Sequence, residues 1–364
     1  MPPLFPVRYD SREAIYNPGI VILGNGDIWM YARHEGRNRT STWSACPDRS
    51  PSTLRACPSH FTPQMISFIV RCRLDSLLNP VSPLEALEYD LQWDSLDGKP
   101  RHRELGPEDP RLFTVSNRTF IIFNALPTDR TTLEIGRTIR NLKVQQVDPV
   151  LGMPLELTLP QQGRVEKNWA PFPVVAEVRP CHEALRMDSG LSAPWYFSRT
   201  FEPHEVLCCN PETGSCAVAG TSSQHAFMTA FAQLWELTTM HLGTNLVPIP
   251  GRGYLGIMHG IITQPVISGG RRVVGGTVRR YLNFPYIVGV REPWPVTHVA
   301  ATPLALPLGA AVSGFAFTSN LAWVDSERLV ISYNVKDRTA SFLVVTLDKL
   351  LATLVAVDGG SARG

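Results

Sequence analysis

The sequence predicts an all-β chain folded as a five-bladed β-propeller. Three observations point there: a composition rich in turn formers, five apolar strands that each end in a polar residue, and a hairpin partner ahead of each strand. The 364 residues include 31 Pro and 27 Gly, too many for a helical bundle and suited to short strands joined by turns. Apolar residues make up 44%, enough for a sizeable core, and charged residues only 18%, which argues against disorder. The length admits two ordinary domains or one large all-β domain. The strand repeat favours one propeller over 1–357, with 358–364 as a flexible tail.

The five strands are Gly26–Arg33, Arg118–Asn124, Pro194–Arg199, Gly253–His259 and Arg328–Asn334. Their terminal polar residues lie 91, 75, 60 and 75 positions apart, a spacing that suits one four-stranded blade each. A second apolar stretch precedes each strand across a turn, as Gly19–Leu23 precedes Gly24-Asn25-Gly26. Period-2 alternation is clear in some strands and lost in others, as expected where both faces are buried. In a propeller the equivalent strand ends meet around a central channel, which would bring Arg33, Asn124, Arg199, His259 and Asn334 together. A two-sheet sandwich with similar hairpins is the alternative. Helix is expected only at 223–239 and 347–355.

Several function classes are excluded. The 34 basic and 32 acidic residues leave +2 with no run of five like charges, so nucleic acid and anionic membranes find no obvious handle. The uncharged stretch Val299–Val324 is long enough to span a bilayer. However, Pro303, Pro307, Gly309 and Gly314 cut it into strand-sized pieces. The N-terminus lacks the basic and apolar regions of a signal peptide, so a reducing, cytoplasmic setting is expected and the sequons at Asn38 and Asn117 are chance matches.

The seven cysteines are odd in number and irregularly spaced, which does not suggest a disulfide framework. Cys208, Cys209 and Cys216, near His204, flank the turn Asn210–Gly214 and suggest hairpin packing ahead of a zinc set. No metal or cofactor is expected. Gly251-Arg-Gly-Tyr-Leu-Gly256 matches GxGxxG, but it leads into a strand and is a turn. There is no GxSxG, HExxH or P-loop motif.

The sharpest motif is Gly106-Pro-Glu-Asp-Pro-Arg-Leu-Phe113. Adjacent carboxylates, a Pro that fixes the backbone and an Arg two residues on stand just before a strand. Strand alternation sends Glu108 and Asp109 to opposite sides, so one faces a cavity while the other braces the loop. An Asp beside an Arg normally stays ionised, whereas one kept protonated by desolvation acts as a general acid. A salt-bridged turn is the bland reading.

Glu166-Lys-Asn-Trp-Ala-Pro-Phe172 combines an ion, an amide and a large aromatic. That set suits a sugar or phosphate site with Trp169 stacking on the sugar and Lys167 and Asn168 on polar groups; an exposed loop anchored by Trp169 is equally open. His204 in Phe201-Glu-Pro-His-Glu-Val206 is a satisfied loop histidine more readily than a functional one. His259 ends a strand beside Gly260, which permits close approach of a ligand. Ile331-Ser-Tyr-Asn-Val-Lys-Asp337 closes the last blade with polar groups.

Together these residues resemble the five-bladed propellers of glycoside hydrolase family 130 and the related mannosyltransferase/phosphorylases of glycosyltransferase family 108. The match runs from Tyr16-Asn-Pro-Gly-Ile20 and Tyr31-Ala-Arg33, through Glu108–Arg111 and Glu166–Trp169, to Met258-His-Gly260. It closes on Thr318–Leu321 and Ile331–Asp337. The resemblance implies inverting transfer of a mannosyl or similar hexosyl group between a β-glycoside and phosphate, a sugar phosphate or a nucleotide sugar. It assigns the proton to Asp109 and ligand contacts to Asn17, Arg33, Glu108, Arg111, Asn124, Lys167, Asn168, Trp169, His204, His259, Tyr333 and Asp337. The partners implied are a mannose-containing oligosaccharide or glycoside and phosphate or a sugar phosphate.

Two departures concern donor and acceptor: Asn334-Val-Lys-Asp337 stands where relatives have Gly-Val-Asn-Asp, and Leu242-Gly-Thr244 where many have Gly-Gly-Thr. A β-mannoside hydrolase of the same fold and a non-catalytic carbohydrate- or protein-binding propeller are the alternatives.

Overall fold

The computed structural model describes residues 14–36, 66–87, 107–125, 141–148, 150–160, 168–173, 185, 193–268, 271–307, 315–337 and 339–357. Five antiparallel sheets follow one another along the chain. The first holds β1 (Ala14–Ile22), β2 (Ile28–Gly36), β3 (Ile66–Leu74) and β4 (Glu85–Ala86). The second holds β5 (Glu108–Val115), β6 (Arg118–Ala125), β7 (Asn141–Asp148) and β8 (Val150–Glu156). The third runs β9 (Ala170–Phe172), β10 (Trp195–Thr200), β11 (His204–Cys209) and β12 (Cys216–Ser222). The fourth is built on β13 (Thr239–Leu242), β14 (Val247–Ile249), β15 (Gly253–Ser268), β16 (Arg271–Val288) and β17 (Val296–Ala300). The fifth is β18 (Ala316–Trp323), β19 (Arg328–Val335) and β20 (Thr339–Thr346). The last strand, β21 (Leu354–Ala356), returns to the fourth sheet and pairs with β17.

The sheets form a ring because each is sandwiched between two neighbours. One apolar cluster fills each of the five gaps. Val21, Tyr31 and Ile69 meet Leu112, Ile121 and Phe123 between the first and second sheets. Phe113, Phe120 and Ile122 meet Trp169, Trp195 and Phe197 between the second and third. Similar clusters join the third to the fourth and the fourth to the fifth. Ile15, Ile20 and Met30 against Val330 and Phe342 close the ring. With both faces buried, central strands lose polar alternation, as in Arg118–Ala125, where six consecutive residues are buried.

The expected five-bladed propeller is therefore present, but its blades are unequal. Among the described residues the fifth has three strands, and the inner strand of the fourth is split into β13 and β14, which both pair with β15. The split falls at 243–246, where Gly243 lies so close to Ile257 and Thr318 that a Cβ would sit 2.5 Å from the Ile257 carbonyl oxygen. Helix is scarce, as the sequence predicts: α1 (His225–Leu234) buries Met228 and Phe231, and α2 (Leu347–Leu351) is shorter than expected because the chain re-enters a strand at Leu354. Strands β17 and β18 occupy the ends of the uncharged 299–324 stretch. Among the described residues no helix is long and apolar enough to cross a membrane.

The cysteine expectation needs correction. Register places Cys209 directly opposite Cys216 across the β11–β12 hairpin, and the two form a disulfide. Cys208 is disulfide-bonded as well, and Cys72 is a free, buried thiol. Among the described residues no cluster of metal ligands occurs. Cys46, Cys57, Cys181, Asn38 and the expected tail 358–364 lie outside the described residues.

Candidate active site

A layer of buried amides levels the inner strands against one another. The Asn320 side chain on β18 accepts from the Ile20 amide of β1 (3.1 Å) and donates to the Leu112 carbonyl of β5 (3.2 Å) and to Asn245 Oδ1 (2.9 Å). Asn245 in turn donates to the Leu321 carbonyl and accepts from its amide. Buried amides survive in an apolar ring only with their bonds made, so this layer fixes the relative height of the strands. Residues N-terminal to it, including Asn17, Asp109, His241 and Phe317, emerge at one end of the ring.

The strand-end residues return to that same end. Arg33 is the register partner of Tyr16, Asn124 of Glu108, His259 of His241 and Asn334 of Phe317. The expected convergence holds for these four. Arg199 follows Ser198, whose partner Ala170 opens the inner strand of the third blade, and there it pairs with Glu205 of its own hairpin at 3.0 Å.

On the wall made by the first two blades, Arg33 organises a polar cluster. Its Nη2 meets Glu108 Oε1 at 3.0 Å, its Nη1 lies 3.5 Å from Asp109 Oδ1, and its Nε donates to Ser67 Oγ at 2.8 Å. The guanidinium also lies 5.0 Å from the centre of the Tyr16 ring, within cation–π range. Asn17 Nδ2 donates to Asp109 Oδ1 at 2.6 Å. Both contacts to Asp109 fall on Oδ1, and the side chain keeps 22% exposure while Glu108 keeps 10%.

Strict alternation would have sent Glu108 and Asp109 to opposite sides; here one guanidinium reaches both. The reason is local backbone geometry. Asp109 is left-handed (φ 52°) and the β5–β6 register shifts between Glu108 and Arg111, so the period of two is broken there. Asn17 (φ 50°) does the same in a bulge of β1, and Asn168 (φ 65°) just before β9. Asn and Asp are the side chains that tolerate this conformation best, and such strain collects at functional sites.

Arg111 and the 168–169 pair play parts the sequence did not predict. The Arg111 guanidinium, fully buried, donates to the Trp169 carbonyl (2.7 Å), the Leu242 carbonyl (3.0 Å) and Asn168 Oδ1 (3.2 Å). It ties the second blade to the third and fourth. Desolvation pulls it down to about 10, with Asp109 pulling the other way, so it remains a cation at neutral pH. Trp169 is 1% exposed in the apolar cluster between blades, 6.0 Å from the Phe197 ring, and is not a stacking platform for a sugar. Lys167 and Glu166 lie outside the described residues.

His204 belongs to the wall of the third blade. Its Nδ1 donates to the Trp294 carbonyl at 2.8 Å, which leaves Nε2 to accept from the Ser198 hydroxyl at 2.9 Å. Burial pushes it down to about 4, so it is neutral at pH 7. It is the satisfied histidine of the bland reading.

Across the mouth, His259 is 2% exposed among His241, Tyr281 and Phe317, with ring centres 5.4, 5.6 and 4.7 Å away. Gly260 beside it makes room for Leu237, not for a ligand: a Cβ would lie 2.6 Å from a Leu237 methyl. On the fifth blade the Asn334 amide donates to Asp337 Oδ1 at 2.7 Å, with Asp337 exposed at the strand end. Tyr333 is buried, its hydroxyl donates to the Pro307 carbonyl at 3.0 Å, and burial raises its pKa.

The structure thus joins Asn17, Arg33, Glu108 and Asp109, with Asn124 opposite Glu108, and places His259 and Asp337 at the same mouth. Sequence reasoning missed Ser67, His241 and the amide layer of Asn245 and Asn320. The signal present for that layer was a polar Thr318-Ser-Asn320 inside an otherwise apolar stretch. A groove of about 620 Å³ also runs along α1, lined in part by Glu202, His225, Thr229, Gln233 and Glu236. It contains none of the predicted site residues, and the convergence of buried polar groups favours the mouth over it.

No protein-family model matches the chain, and no curated protein matches it in sequence. Solved structures do. The β-1,2-mannobiose phosphorylase from Listeria innocua, solved with β-1,2-mannobiose, shares 12% identity over 96% of this chain and 94% of its own, with a TM-score of 0.55. A glycosyl hydrolase from Bacteroides ovatus shares 11% over 92% and 85%, with a TM-score of 0.56. A structure described with the GH130 mannoside phosphorylases, among them hydrolases of β-1,2-mannosidic linkages in Candida mannan, shares 11% over 92% and 85% at 0.54. At these identities the likeness establishes a common fold along nearly the whole chain.

Proposed function

We propose that the mouth transfers a mannosyl group with inversion between a β-mannoside and phosphate or a phosphorylated donor, with Asp109 as the acid. The observation that carries this is the placement of Asp109. It stands at the head of an inner strand, half-buried, with Oδ1 anchored by Asn17 and Arg33 and Oδ2 available to a ligand. In the reaction, the Asp109 proton passes to the leaving glycosidic oxygen as its bond to the anomeric carbon breaks. A phosphate oxygen forms the new bond from the opposite face, which inverts the centre. Arg33 and Asn17 hold the carboxyl in place, and Glu108 balances the charge of Arg33. The neighbours named for mannobiose phosphorolysis and mannoside hydrolysis support the substrate class.

The test is turnover of manno-oligosaccharides with and without phosphate. Asp109→Asn keeps the shape and removes the proton source, so kcat should fall by about 10²–10⁴-fold with folding retained. Steady mannose release in phosphate-free buffer would decide for hydrolysis. Sugar binding without turnover under any condition would decide for a non-catalytic propeller.

A further inference from the structure

The hairpin of β15 and β16 is far longer than any other, with strands of 16 and 18 residues against nine or fewer elsewhere among the described elements. Its inner half is an ordinary part of the fourth blade. Beyond Ile261, where pairing with β13 ends, residues 262–268 and 271–280 pair only with each other. The arm extends β15 past His259, so it leaves the ring at the mouth.

Its chemistry is one-sided. Between Gly253 and Val288 there is no Asp or Glu, while Arg271, Arg272, Arg279 and Arg280 all lie on the arm. Arg279 and Arg280 are exposed, and among the described residues neither makes an ion pair or a hydrogen bond. Cross-strand pairs share a face, so His259 with Asn283, Ile261 with Tyr281 and Thr263 with Arg279 form one row from the buried histidine outward. Thr263 Oγ1 lies 3.2 Å from Thr238 Oγ1, which puts two exposed hydroxyls beside the Arg279 position. Arginine forks with neighbouring hydroxyls suit phosphate oxygens, and a cationic ribbon free of acids raises the local concentration of anions.

We propose that this arm binds a phosphate ester carried outside the reacting sugar, on a phosphorylated glycan or on a nucleoside diphosphate. The proposal rests on the mouth being a mannosyl-transfer site, and it adds an anionic specificity at that site's rim.

The experiment is calorimetric titration of the full chain at low ionic strength with four probes. These are mannobiose, mannobiose 6-phosphate, a nucleoside diphosphate and inorganic tripolyphosphate. Wild type should bind a phosphorylated probe about tenfold more tightly than mannobiose, from the charge-assisted fork of Arg279, which shares its face with Thr263 while Arg280 on the opposite face adds only to the local positive field. Arg279→Ala with Arg280→Ala should erase that preference and leave mannobiose binding unchanged. The double Lys variant should restore part of it, and roughly 0.5 M salt should screen it. Arginine-dependent binding of the disaccharide phosphate but not the nucleotide identifies a glycan as the source, and the reverse identifies a nucleotide.

Equal affinity of wild type and the double Ala variant for every phosphorylated probe overturns the proposal. Failure of the mannosyl-transfer reading looks different: mannobiose neither binds nor turns over, while tripolyphosphate still reports the arm.

Discussion

Replacing Arg111 with Met should destabilise the ring more than it impairs any ligand contact. The guanidinium satisfies two backbone carbonyls, Trp169 at 2.7 Å and Leu242 at 3.0 Å, and the Asn168 amide oxygen at 3.2 Å. All of this occurs where the arginine is 3% exposed. Met fills a similar volume but donates nothing. Two buried carbonyls and one amide oxygen lose a partner at about 1–3 kcal/mol each, softened where water or rearrangement reaches them. A net loss of about 3–5 kcal/mol is expected, the scale of breaking a buried charged network and a large part of an ordinary domain's stability.

Arg111→Lys keeps the charge, but an ammonium cannot reach three acceptors arranged for a planar fork, so about 1–2 kcal/mol should be lost. Urea unfolding followed by tryptophan fluorescence measures both, because Trp169 and Trp195 lie in the cluster beside the lost bonds. An Arg111→Met protein within about 0.5 kcal/mol of wild type, the scatter of an ordinary surface change, but with a raised KM for phosphate, would refute the structural role and return Arg111 to the ligand.

Three further outcomes follow from the same geometry. Glu108→Gln leaves Arg33 with a neutral partner at the 3.0 Å contact and should lower stability by about 1–3 kcal/mol, with a smaller loss of kcat than Asp109→Asn; parallel melting and turnover measurements check it. Folded His204 stays neutral to about pH 4, whereas an unfolded histidine takes up its proton near 6.5, so falling pH favours the unfolded chain across that window. Up to about 3 kcal/mol should be lost between pH 6.5 and 4, and in His204→Gln the stability–pH slope should flatten there whatever its baseline. Asn320→Leu removes bonds to Ile20, Leu112 and Asn245 at once and should cost about 2–5 kcal/mol in denaturant midpoints, since it unties blades one, two and four from blade five.

The strand repeat was legible because it is local. A turn, an apolar run and a terminal polar residue occur within a single hairpin, and five copies announce five sheets. The grouping of Arg33, Asn124, His259 and Asn334 at one mouth followed from the same repeat, since equivalent ends of equivalent strands must meet in a ring. The acidic motif was legible as a candidate site for a related reason: adjacent carboxylates, a proline and an arginine in four residues have few uses in a strand.

What those residues do was decided only by tertiary packing. Glu108 and Asp109 reach one guanidinium because Asp109 is left-handed, and nothing in a four-residue motif states a φ angle. Trp169 is core because Phe197, 28 positions away, and the second blade's Phe113 and Phe120 share its cluster; a lone aromatic beside a lysine looks the same whether it stacks on a sugar or on other aromatics. Arg111 spends two bonds on carbonyls 58 and 131 residues distant and a third on an amide oxygen 57 residues away, and His204 is silenced by a carbonyl 90 residues away. Strand identity and strand ends are encoded within one hairpin, where the sequence carries the whole pattern. Which polar groups remain for a ligand depends on which ones the neighbouring blades have already taken, and that is a property of the closed ring alone.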